Sequence, residues 1–408
     1  MAYLGSTPAR APLSSAQIED GTIDTADLAT NAVTTAKITA ANVTTAKIAD
    51  ANITKAKIAG GSALIGRNLL DNGDMLVKQR GSLTGLGAAA AYTTMDRWEL
   101  KIAASPQGRV STSSSSASKD NSILLEGHRF ALEIDCTTAE SAVAAGEYII
   151  ITQKIEAQNL QHLLFGSEGS QQALSLRFGF RSPKSGTHCV ALYSPDGNRN
   201  IVKEFTVAVA DTFEIIKIEN IPGDALGTIN NDTGEGLRVA FPLVAGTDFQ
   251  VAADSWAGGE DYATSNQQNL LDNTANNIYI AGVQLEVGSV STDFEFEPQS
   301  VTLTKCKRYF EQKNYSSGVV GVGAAGSTTV FYWDQYFEVE KRVAPTVTLT
   351  GQVYSALGGS GFSSGEVIAE VTVNKCRVAA TITSGLTAKD AILVTANGTV
   401  PIAATADL

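Results

Sequence analysis

Large apolar residues recur at every fifth position between residues 18 and 58. In an α-helix five residues advance about 500°, so the repeated side chains would spiral around the rod and form no stripe. In a flat strand an odd spacing sends successive side chains to opposite faces. The repeat therefore predicts a backbone that bends once per unit, as in a solenoid or in strands wound around an axis. The repeated residues are Ile18, Ile23, Leu28, Val33, Ile38, Val43, Ile48, Ile53 and Ile58.

Alanine precedes most of these apolar residues by two positions, for example at Ala36, Ala41 and Ala46. A small residue at that position lets neighbouring backbones approach closely. The frames ANVTT, AKIAD and ANITK resemble pentapeptide repeats, and this resemblance implies a square, single-chain β-helix. Residues 16 to 60 would form only about two coils of such a helix, whereas a repeat array needs several neighbours before its core closes.

Three chains wound together would supply the missing neighbours. Lysine recurs once per ten residues in this segment, at Lys37, Lys47 and Lys57, which indicates a true period of ten. Such decads resemble the shaft segments of phage tail fibres, in which three copies intertwine about one axis. We favour this homotrimeric shaft, and a single-chain pentapeptide coil and a mostly flexible linker are the alternatives.

Composition argues against several classes of partner. The 408 residues carry a formal net charge of −12 and no dense run of Lys and Arg. Because duplex binding depends on cations that neutralise phosphates, we expect no nucleic-acid partner. The sequence has no apolar stretch of about 18 residues, so we expect no membrane insertion. The N-terminus lacks the apolar segment of a signal peptide, which indicates synthesis in a cytoplasm without standard secretion.

The cysteines and histidines form no metal or catalytic motif. The cysteines stand far apart without a CxxC pair, so we expect small buried side chains rather than a disulfide framework or a zinc site. The histidines lie near no G-x-S-x-G or HExxH motif, and the Gly-rich stretch 318–326 lacks the βαβ context of a dinucleotide site. We therefore predict no catalytic residue, no metal and no cofactor. These residues are Cys136, Cys189, Cys306, Cys376, His128, His162 and His188.

Strand-like alternation begins after residue 66. In DRWELKIA, Trp98, Leu100 and Ile102 point one way, whereas Glu99 and Lys101 point the other. Similar segments follow without intervening helical patterns and are separated by turns rich in Gly, Asn, Ser and Asp. The pattern predicts an all-β chain whose central part is a two-sheet antiparallel sandwich of jelly-roll type. The other segments are 147–156, 173–180, 212–220, 236–244 and 277–288.

Four blocks then occur in a fixed order. They are NLLDNGDMLVKQRG (68–81), YTTMDRWEL (92–100), IAGVQLEVGSVSTDFEFEP (280–298) and CKRYFE (306–311). This order resembles the framework of bacteriophage fibre and appendage proteins, whose central module resembles a carbohydrate-binding jelly roll. The stretch 337–349 and the closing TADL resemble the end of such proteins. The chain departs from the pattern in DMLVKQRG, which lacks an aromatic residue before QRG, and in KRVAP, which replaces a Met-Arg pair.

Several residues of these blocks receive a structural interpretation. Trp98 begins a strand and is predicted to lie in the core. Arg80 and Asp96 are predicted to form an internal charge-assisted pair. Glu286 of QLE is predicted to accept hydrogen bonds from backbone or arginine donors rather than to act as an acid.

Sugar binding needs an aromatic ring for the apolar face of the sugar and polar side chains for its hydroxyl groups. The stretch 254–273 is rich in Gly, Ser and Asn, a setting in which a core aromatic residue is less expected. It offers Trp256, Tyr262 and Asn266 as candidate glycan-binding residues. Packing at the edge of the sandwich is the alternative for the two aromatic residues.

A dense aromatic strand, FYWDQYF (331–337), supplies two more candidates. Strand alternation places Phe331 and Trp333 on the more apolar, inward face and turns Tyr332 and Tyr336 outward. Gln335 and Phe337 belong to the inward face as well. Tyr332 and Tyr336 are candidate glycan-binding residues, and a trimer interface is an alternative. Residues 301–313 permit either a short helix or a strand.

Together these observations give one hypothesis. The chain is a non-enzymatic, homotrimeric fibre or appendage protein of a phage virion, made in the host cytoplasm. Residues 1–15 attach to other virion proteins, 16–61 form the shaft, 62–300 the jelly roll and 301–408 a small β domain, and the β domains bind host-surface polysaccharide. The alternative is a purely structural head fibre or connector without receptor binding. A polysaccharide depolymerase, which needs two carboxylates across a sugar groove, is less favoured because the body is too short for a long parallel β-helix.

Overall fold

The structure is a computed structural model, and it describes residue 18 and residues 23–29, 32–34, 66–116, 126–316, 318–355 and 363–408. The chain divides into two units, Met1–Ile58 and Ala59–Leu408. In the first unit Thr25–Asp27 form one 3₁₀ turn. The backbone N–H of Asp24 donates to Oδ2 of Asp27 at 3.0 Å and closes this turn.

The four apolar residues of the repeat that the structure describes are exposed to solvent. The exposed fractions are 42% for Ile18, 54% for Ile23, 46% for Leu28 and 57% for Val33. The shaft and the N-terminal attachment segment 1–15 stay predictions. The other predicted shaft residues lie outside the described residues: Ile38, Val43, Ile48, Ile53 and Ile58.

Within the described ranges, antiparallel strands form a sandwich of two sheets in the second unit. One sheet has six strands and the other seven, and the chain passes repeatedly from one to the other. These features agree with the predicted all-β class and with jelly-roll connectivity. Numbered along the chain, the strands are β1 (Leu83–Leu86), β2 (Ala91–Tyr92), β3 (Glu99–Ala103), β4 (Arg109–Ser116), β5 (Phe130–Thr138), β6 (Tyr148–Glu156), β7 (Leu174–Arg181), β8 (Gly186–Ser194), β9 (Arg199–Val207), β10 (Glu214–Ile221), β11 (Glu235–Ala245), β12 (Ala257–Gly258) and β13 (Asn277–Val287). The strand orders are β1-β4-β5-β13-β7-β10 and β12-β9-β8-β11-β6-β3-β2.

The inner faces of both sheets share one hydrophobic core. Trp98, which directly precedes β3, and Leu100 of β3 are 0% exposed, and the Trp98 ring lies 6.2 Å from that of Phe241 on β11. From the facing sheet, Phe178 of β7 meets Phe241 edge-on at 5.0 Å. The predicted core position of Trp98 is confirmed. The four cysteines are buried and free, as predicted.

A crossing segment, residues 246–265, covers the outer face of the seven-stranded sheet. It contains the 3₁₀ turn Thr247–Phe249 and strand β12. Tyr148 on the outer side of β6 meets the rings of Phe249 at 4.6 Å and Tyr262 at 5.1 Å. Because both faces of β6 are covered, its first half, residues 148–151, is apolar without alternation.

The last hundred residues form one helix and two further sheets in the part of the chain described. The stretch 301–313 contains both predicted possibilities, since it holds most of this helix and the start of a strand. The elements are α1 (Gln299–Lys307), β14 (Phe310–Ser316), β15 (Val319–Ala325), β16 (Val330–Tyr336), β17 (Thr346–Leu349), β18 (Gln352–Ser355), β19 (Ser364–Ala369), β20 (Lys375–Thr381), β21 (Ala391–Asn397) and β22 (Thr399–Thr405). The sheet orders are β14-β22-β17 and β18-β21-β15-β16-β20-β19.

A short 3₁₀ helix, Ala157–Leu163, follows β6 and buries its apolar residues against the sandwich. None of the helices in the described ranges has the length and apolar character needed to cross a bilayer.

Candidate functional site

Strand β16 carries two tyrosines on the exposed side of the six-stranded C-terminal sheet. Phe331 and Trp333 are 0% and 2% exposed, whereas Tyr332 and Tyr336 are 40% and 61% exposed. Successive side chains of a strand point to opposite faces, and the predicted orientation of FYWDQYF is confirmed. Four residues of strand span about 13 Å, so the two tyrosine rings stand apart on one face.

Asp334 stands between the two tyrosines and is held by two cations of β20. Its Oδ2 accepts from Nζ of Lys375 at 2.6 Å, and its Oδ1 accepts from Nε of Arg377 at 3.1 Å. The hydrogen bond from Lys375, joined by that from Arg377, lowers the pKa of Asp334, which therefore stays ionised at neutral pH. We call Tyr332, Asp334, Tyr336, Lys375 and Arg377 the tyrosine face.

Neighbouring groups position both rings of this face. The ring of Tyr332 lies against Gly326, where a Cβ atom would overlap it. A hydrogen bond of 2.8 Å from the backbone N–H of Gly326 to the carbonyl of Val330 closes the adjoining turn. Nζ of Lys375 lies 5.6 Å from the ring centroid of Tyr336, within cation–π range. Rings held in this way lose less conformational freedom when a ligand binds.

The charges of the tyrosine face are balanced, and aliphatic side chains border it. Arg377 also donates from Nη1 to Oε1 of Glu370 at 3.0 Å, so two cations meet two carboxylates. Val322 and Val367 are 70% and 58% exposed. Val367 pairs with Ala379, which pairs with Tyr332, so it shares the face of the tyrosines.

Trp256 packs at an edge of the sandwich. Its Nε1 donates to the carbonyl of Pro222 at 2.7 Å, and its ring meets Phe165 edge-on at 5.5 Å. The residue is half-buried and packs against the main core. This is the packing alternative that the sequence left open, and a glycan contact of Trp256 stays a prediction.

Tyr262 is 0% exposed, so it offers no ring surface to a glycan, and the packing alternative applies to this candidate glycan-binding residue. Its hydroxyl accepts from Nη1 of Arg238 at 2.6 Å and donates to Oε1 of Glu260 at 2.5 Å. Burial is the main cause that raises the pKa of this hydroxyl. The physical reason is the crossing segment, which packs Tyr262 against Tyr148 and Tyr193.

Asn266 is exposed and lines an open cleft of about 400 Å³ together with Glu204. Its Nδ2 donates to Oε1 of Glu204 at 3.0 Å. The structure thus brings the two β16 tyrosines onto one face and places Asn266 in a separate cleft on the sandwich. Trp256 and Tyr262 do not form a common platform, since each ring packs against different aromatic neighbours.

The sequence blocks QRG, DRW, RYF and TADL meet at a junction between the sandwich and the C-terminal sheets. Arg80 and Asp96 form an ion pair, with Nη1 of Arg80 3.6 Å from Oδ1 of Asp96, whereas the hydrogen bond of this guanidinium goes from Nη2 to Oδ2 of Asp407 at 2.5 Å. The guanidinium of Arg97 stacks on the Tyr309 ring at 3.3 Å. Both arginines are largely buried, so these residues hold the two parts of the unit together.

Glu156 is the most connected carboxylate of this junction, and the sequence analysis missed it. It is 0% exposed, and it accepts from Nε and Nη2 of Arg308 at 2.7 and 2.9 Å. The Tyr309 hydroxyl and Nε2 of Gln158 each donate to it at 2.6 Å. Burial acts to raise the pKa of Glu156, but the hydrogen bonds from Arg308 and Tyr309 outweigh it and lower that pKa. The sequence signal that could have found it is a carboxylate in the same predicted strand segment, 147–156, as three consecutive isoleucines.

The remaining framework carboxylates are also structural. Oε1 of Glu286 accepts from the backbone N–H of Thr292 at 2.6 Å, as predicted for the QLE block. Glu295 accepts from the backbone N–H groups of Gly66 and Arg67 at 2.6 and 2.7 Å. In the described part of the chain, no three or more His, Cys, Asp and Glu side chains are grouped to hold a metal ion.

Comparison with known proteins finds similarity only at the level of structure. No family model and no curated protein matches the chain. TmCBM61 in complex with β-1,4-galactotriose is 11% identical with a TM-score of 0.25, over 55% of this chain and 100% of its own. The family 11 carbohydrate-binding module of Clostridium thermocellum in complex with a β-1,3-1,4-mixed-linked tetrasaccharide is 12% identical with a TM-score of 0.23, over 48% and 91%.

A phage protein is also among the similar structures. The enzymatically active domain of bacteriophage CBA120 tailspike protein 4 is 11% identical with a TM-score of 0.22, over 47% of this chain and 19% of its own. Scores of this size establish neither a shared fold nor a shared ligand.

Proposed function

We propose that the chain is a non-enzymatic, homotrimeric fibre or appendage protein of a virion that binds a host-surface glycan. In this proposal the N-terminal segment attaches to other virion proteins and the repeat forms a short shaft. The observation that carries the proposal is the tyrosine face, which combines two exposed rings with a fixed carboxylate and two fixed cations.

The chemistry of the tyrosine face suits a sugar. A pyranose has an apolar face and a rim of hydroxyl groups, and a tyrosine ring offers a large, rigid contact area with little entropy to lose. Asp334 would accept from sugar hydroxyls, while Lys375 and Arg377 would donate to them. Because the two tyrosines occupy strand positions about 13 Å apart, the face suits several consecutive sugar residues better than a single one.

The exposed repeat residues support the trimer. Ile18, Ile23, Leu28 and Val33 are 42%, 54%, 46% and 57% exposed, and they continue at a constant five-residue spacing. Scattered apolar residues are ordinary on a surface, but a regular apolar series gains about 25 cal/mol per Å² when other chains bury it. Three chains would also present three tyrosine faces, so individually weak sugar contacts would add up through avidity.

The aliphatic border of the tyrosine face favours one alternative function. Val322 and Val367 are among the most exposed large apolar residues of the described chain, and contiguous exposed apolar patches mark protein interfaces. In this alternative the face packs against another copy or another virion protein, and the chain is a structural connector without a receptor.

Binding of the full-length chain to purified host-surface polysaccharide, followed by biolayer interferometry, tests the proposal. We expect Tyr332→Ala and Tyr336→Ala each to weaken binding about tenfold, which corresponds to a loss of about 1.4 kcal/mol. Phenylalanine at either position keeps the ring and should retain most of the affinity. Gly326→Ala displaces the Tyr332 ring without removing it and should weaken binding as well.

The same variants separate the two functions. Unchanged polysaccharide binding by the chain with both alanine substitutions would refute the glycan role of this face. The connector would be favoured if the chain with both alanine substitutions lost oligomeric mass in light scattering and the wild type bound no glycan. A monomeric mass for the full-length wild type would refute the trimer, and release of reducing sugar from the polysaccharide would identify a depolymerase.

A further inference from the structure

A second concave site lies on the sandwich, separate from the tyrosine face. It is an open cleft of about 400 Å³, a volume in the usual range of small-ligand sites. One wall is strand β9, and the other is the crossing segment, residues 246–265, with the residue that follows it. We call it the Glu204 cleft. Its lining includes Glu204, Gln250, Val251, Ala252, Thr264 and Asn266.

The carboxylate of Glu204 is held in place from below. Oγ1 of Thr264 donates to its Oε1 at 2.5 Å, and Nδ2 of Asn266 donates to the same oxygen at 3.0 Å. Thr264 is itself only 5% exposed, and its backbone N–H donates to Sγ of Cys189 at 3.4 Å. The acid is therefore preorganised by a buried residue rather than free to rotate on the surface.

The amide groups of the cleft are oriented by the protein as well. Nε2 of Gln250 donates to the carbonyl of Ala245 at 2.9 Å, and Nδ2 of Asn266 is bonded to Glu204. Among the described residues, none donates to Oε2 of Glu204 or to the carbonyl oxygens of these two amides. The cleft thus presents three acceptors, so its ligand must be rich in donors.

We infer that the Glu204 cleft is a second glycan subsite and that it takes a neutral sugar residue through donated hydroxyl groups. This inference rests on the proposed function and adds a site of different selectivity to it. Val251 and Ala252 supply apolar contact for the C–H groups of the sugar. The carboxylate repels an acidic sugar, whereas the cations and carboxylates of the tyrosine face balance each other.

Saturation-transfer NMR on the full-length chain tests this subsite. The tyrosine face is first disabled with Tyr332→Ala and Tyr336→Ala, and the probes are maltotriose, cellotriose and mannotriose, with trigalacturonate as the acidic counterpart. We expect at least one neutral trisaccharide to bind and trigalacturonate not to bind. Glu204→Ala removes the acceptor, and Ala252→Trp fills the cleft while leaving Glu204 unchanged. Glu204→Ala should weaken binding about tenfold, as expected for a lost hydrogen bond to a charged group, and Ala252→Trp should weaken it at least as much because the new side chain occupies the space of the sugar.

Two further variants complete the design. Thr206→Ala, at an exposed position of the same strand, is the matched control and should leave binding unchanged. Glu204→Gln removes the charge at constant size and should let trigalacturonate bind. Equal binding of neutral and acidic probes to the wild-type cleft would overturn the charge argument.

The outcomes distinguish this inference from the proposed function. If the wild type binds host polysaccharide but no neutral trisaccharide binds once the tyrosine face is disabled, the subsite is refuted and the proposed function stands. The subsite is also refuted if Ala252→Trp binds the probe as tightly as its parent. If the trisaccharide binds in the cleft but the wild type binds no host polysaccharide, the proposed host-glycan role is refuted and the cleft stands.

Discussion

Glu156→Gln removes one negative charge from the junction while keeping the size of the side chain. In the wild type the carboxylate accepts four hydrogen bonds, two from Arg308 and one each from Tyr309 and Gln158. A glutamine amide offers one acceptor oxygen and places N–H groups where the other acceptor stood. At least two of the surrounding donors therefore lose their partner.

The magnitude follows from the burial of these groups. A buried donor without a partner costs about 1–3 kcal/mol, and removing one member of a buried ion pair costs about 3–5 kcal/mol. Arg308 is 29% exposed, so water can replace part of what its guanidinium loses. We therefore expect Glu156→Gln to lower the free energy of unfolding by about 2–3 kcal/mol. The thermal midpoint should fall by about 4 °C or more.

Scanning calorimetry of the full-length chain at neutral and acidic pH measures both quantities. The lowered pKa of Glu156 means that its stabilising contribution is present above the unfolded-state value of about 4.3 and is lost as the pH falls through the folded-state pKa. The difference between wild type and variant should therefore shrink on acidification. Glu168→Gln, at an exposed position, is the matched control. A neutral-pH midpoint for Glu156→Gln within about 1 °C of this control would refute the reasoning.

Three further predictions concern other buried groups. Gly179→Ala would push a methyl group into the ring of Phe213 and should lower the free energy of unfolding by about 1–3 kcal/mol in urea titration, with Gly258→Ala, at an open position, as the neutral control. Tyr262→Phe removes a hydroxyl that makes two short hydrogen bonds, with Arg238 and Glu260, in a buried setting. It should lower the free energy of unfolding by about 1–2 kcal/mol in the same assay, and an unchanged midpoint would contradict its role in holding the crossing segment. Burial raises the pKa of Cys376 to about 11, and the other three cysteines are buried too, so thiol titration with Ellman's reagent should find no reactive group in the folded chain and all of them after unfolding.

Local patterns in the sequence predicted the features that depend on neighbours in the chain. Alternation alone oriented FYWDQYF, because a strand with one covered face sorts its side chains by hydropathy. It also predicted a core position for Trp98, which directly precedes β3 and is fully buried. The charge-assisted pair of Arg80 and Asp96 was predicted because opposite charges in adjacent framework blocks need partners when buried.

Features that depend on distant parts of the chain could not be predicted in this way. Tyr262 lies in a stretch with the composition of a loop, and its burial arises only because the crossing segment folds back over β6 and β8. Glu156 meets Arg308, which lies 152 residues further along the chain. The Glu204 cleft likewise joins β9 to the crossing segment, so neither wall predicts the cavity alone.

The position of the framework blocks explains what a resemblance based on them can and cannot establish. Their charged residues, such as Arg80, Arg97 and Asp96, are buried at the junction, where losing one partner leaves the other charge uncompensated in a low-dielectric setting. Such residues constrain the architecture strongly and contact no ligand in the proposed function. The tyrosine face and the Glu204 cleft lie outside these blocks and are exposed, so their residues can be exchanged at little cost in stability. The blocks therefore identify how the chain is built, whereas the choice of sugar depends on a few surface residues: Tyr332, Asp334, Tyr336, Glu204 and Asn266.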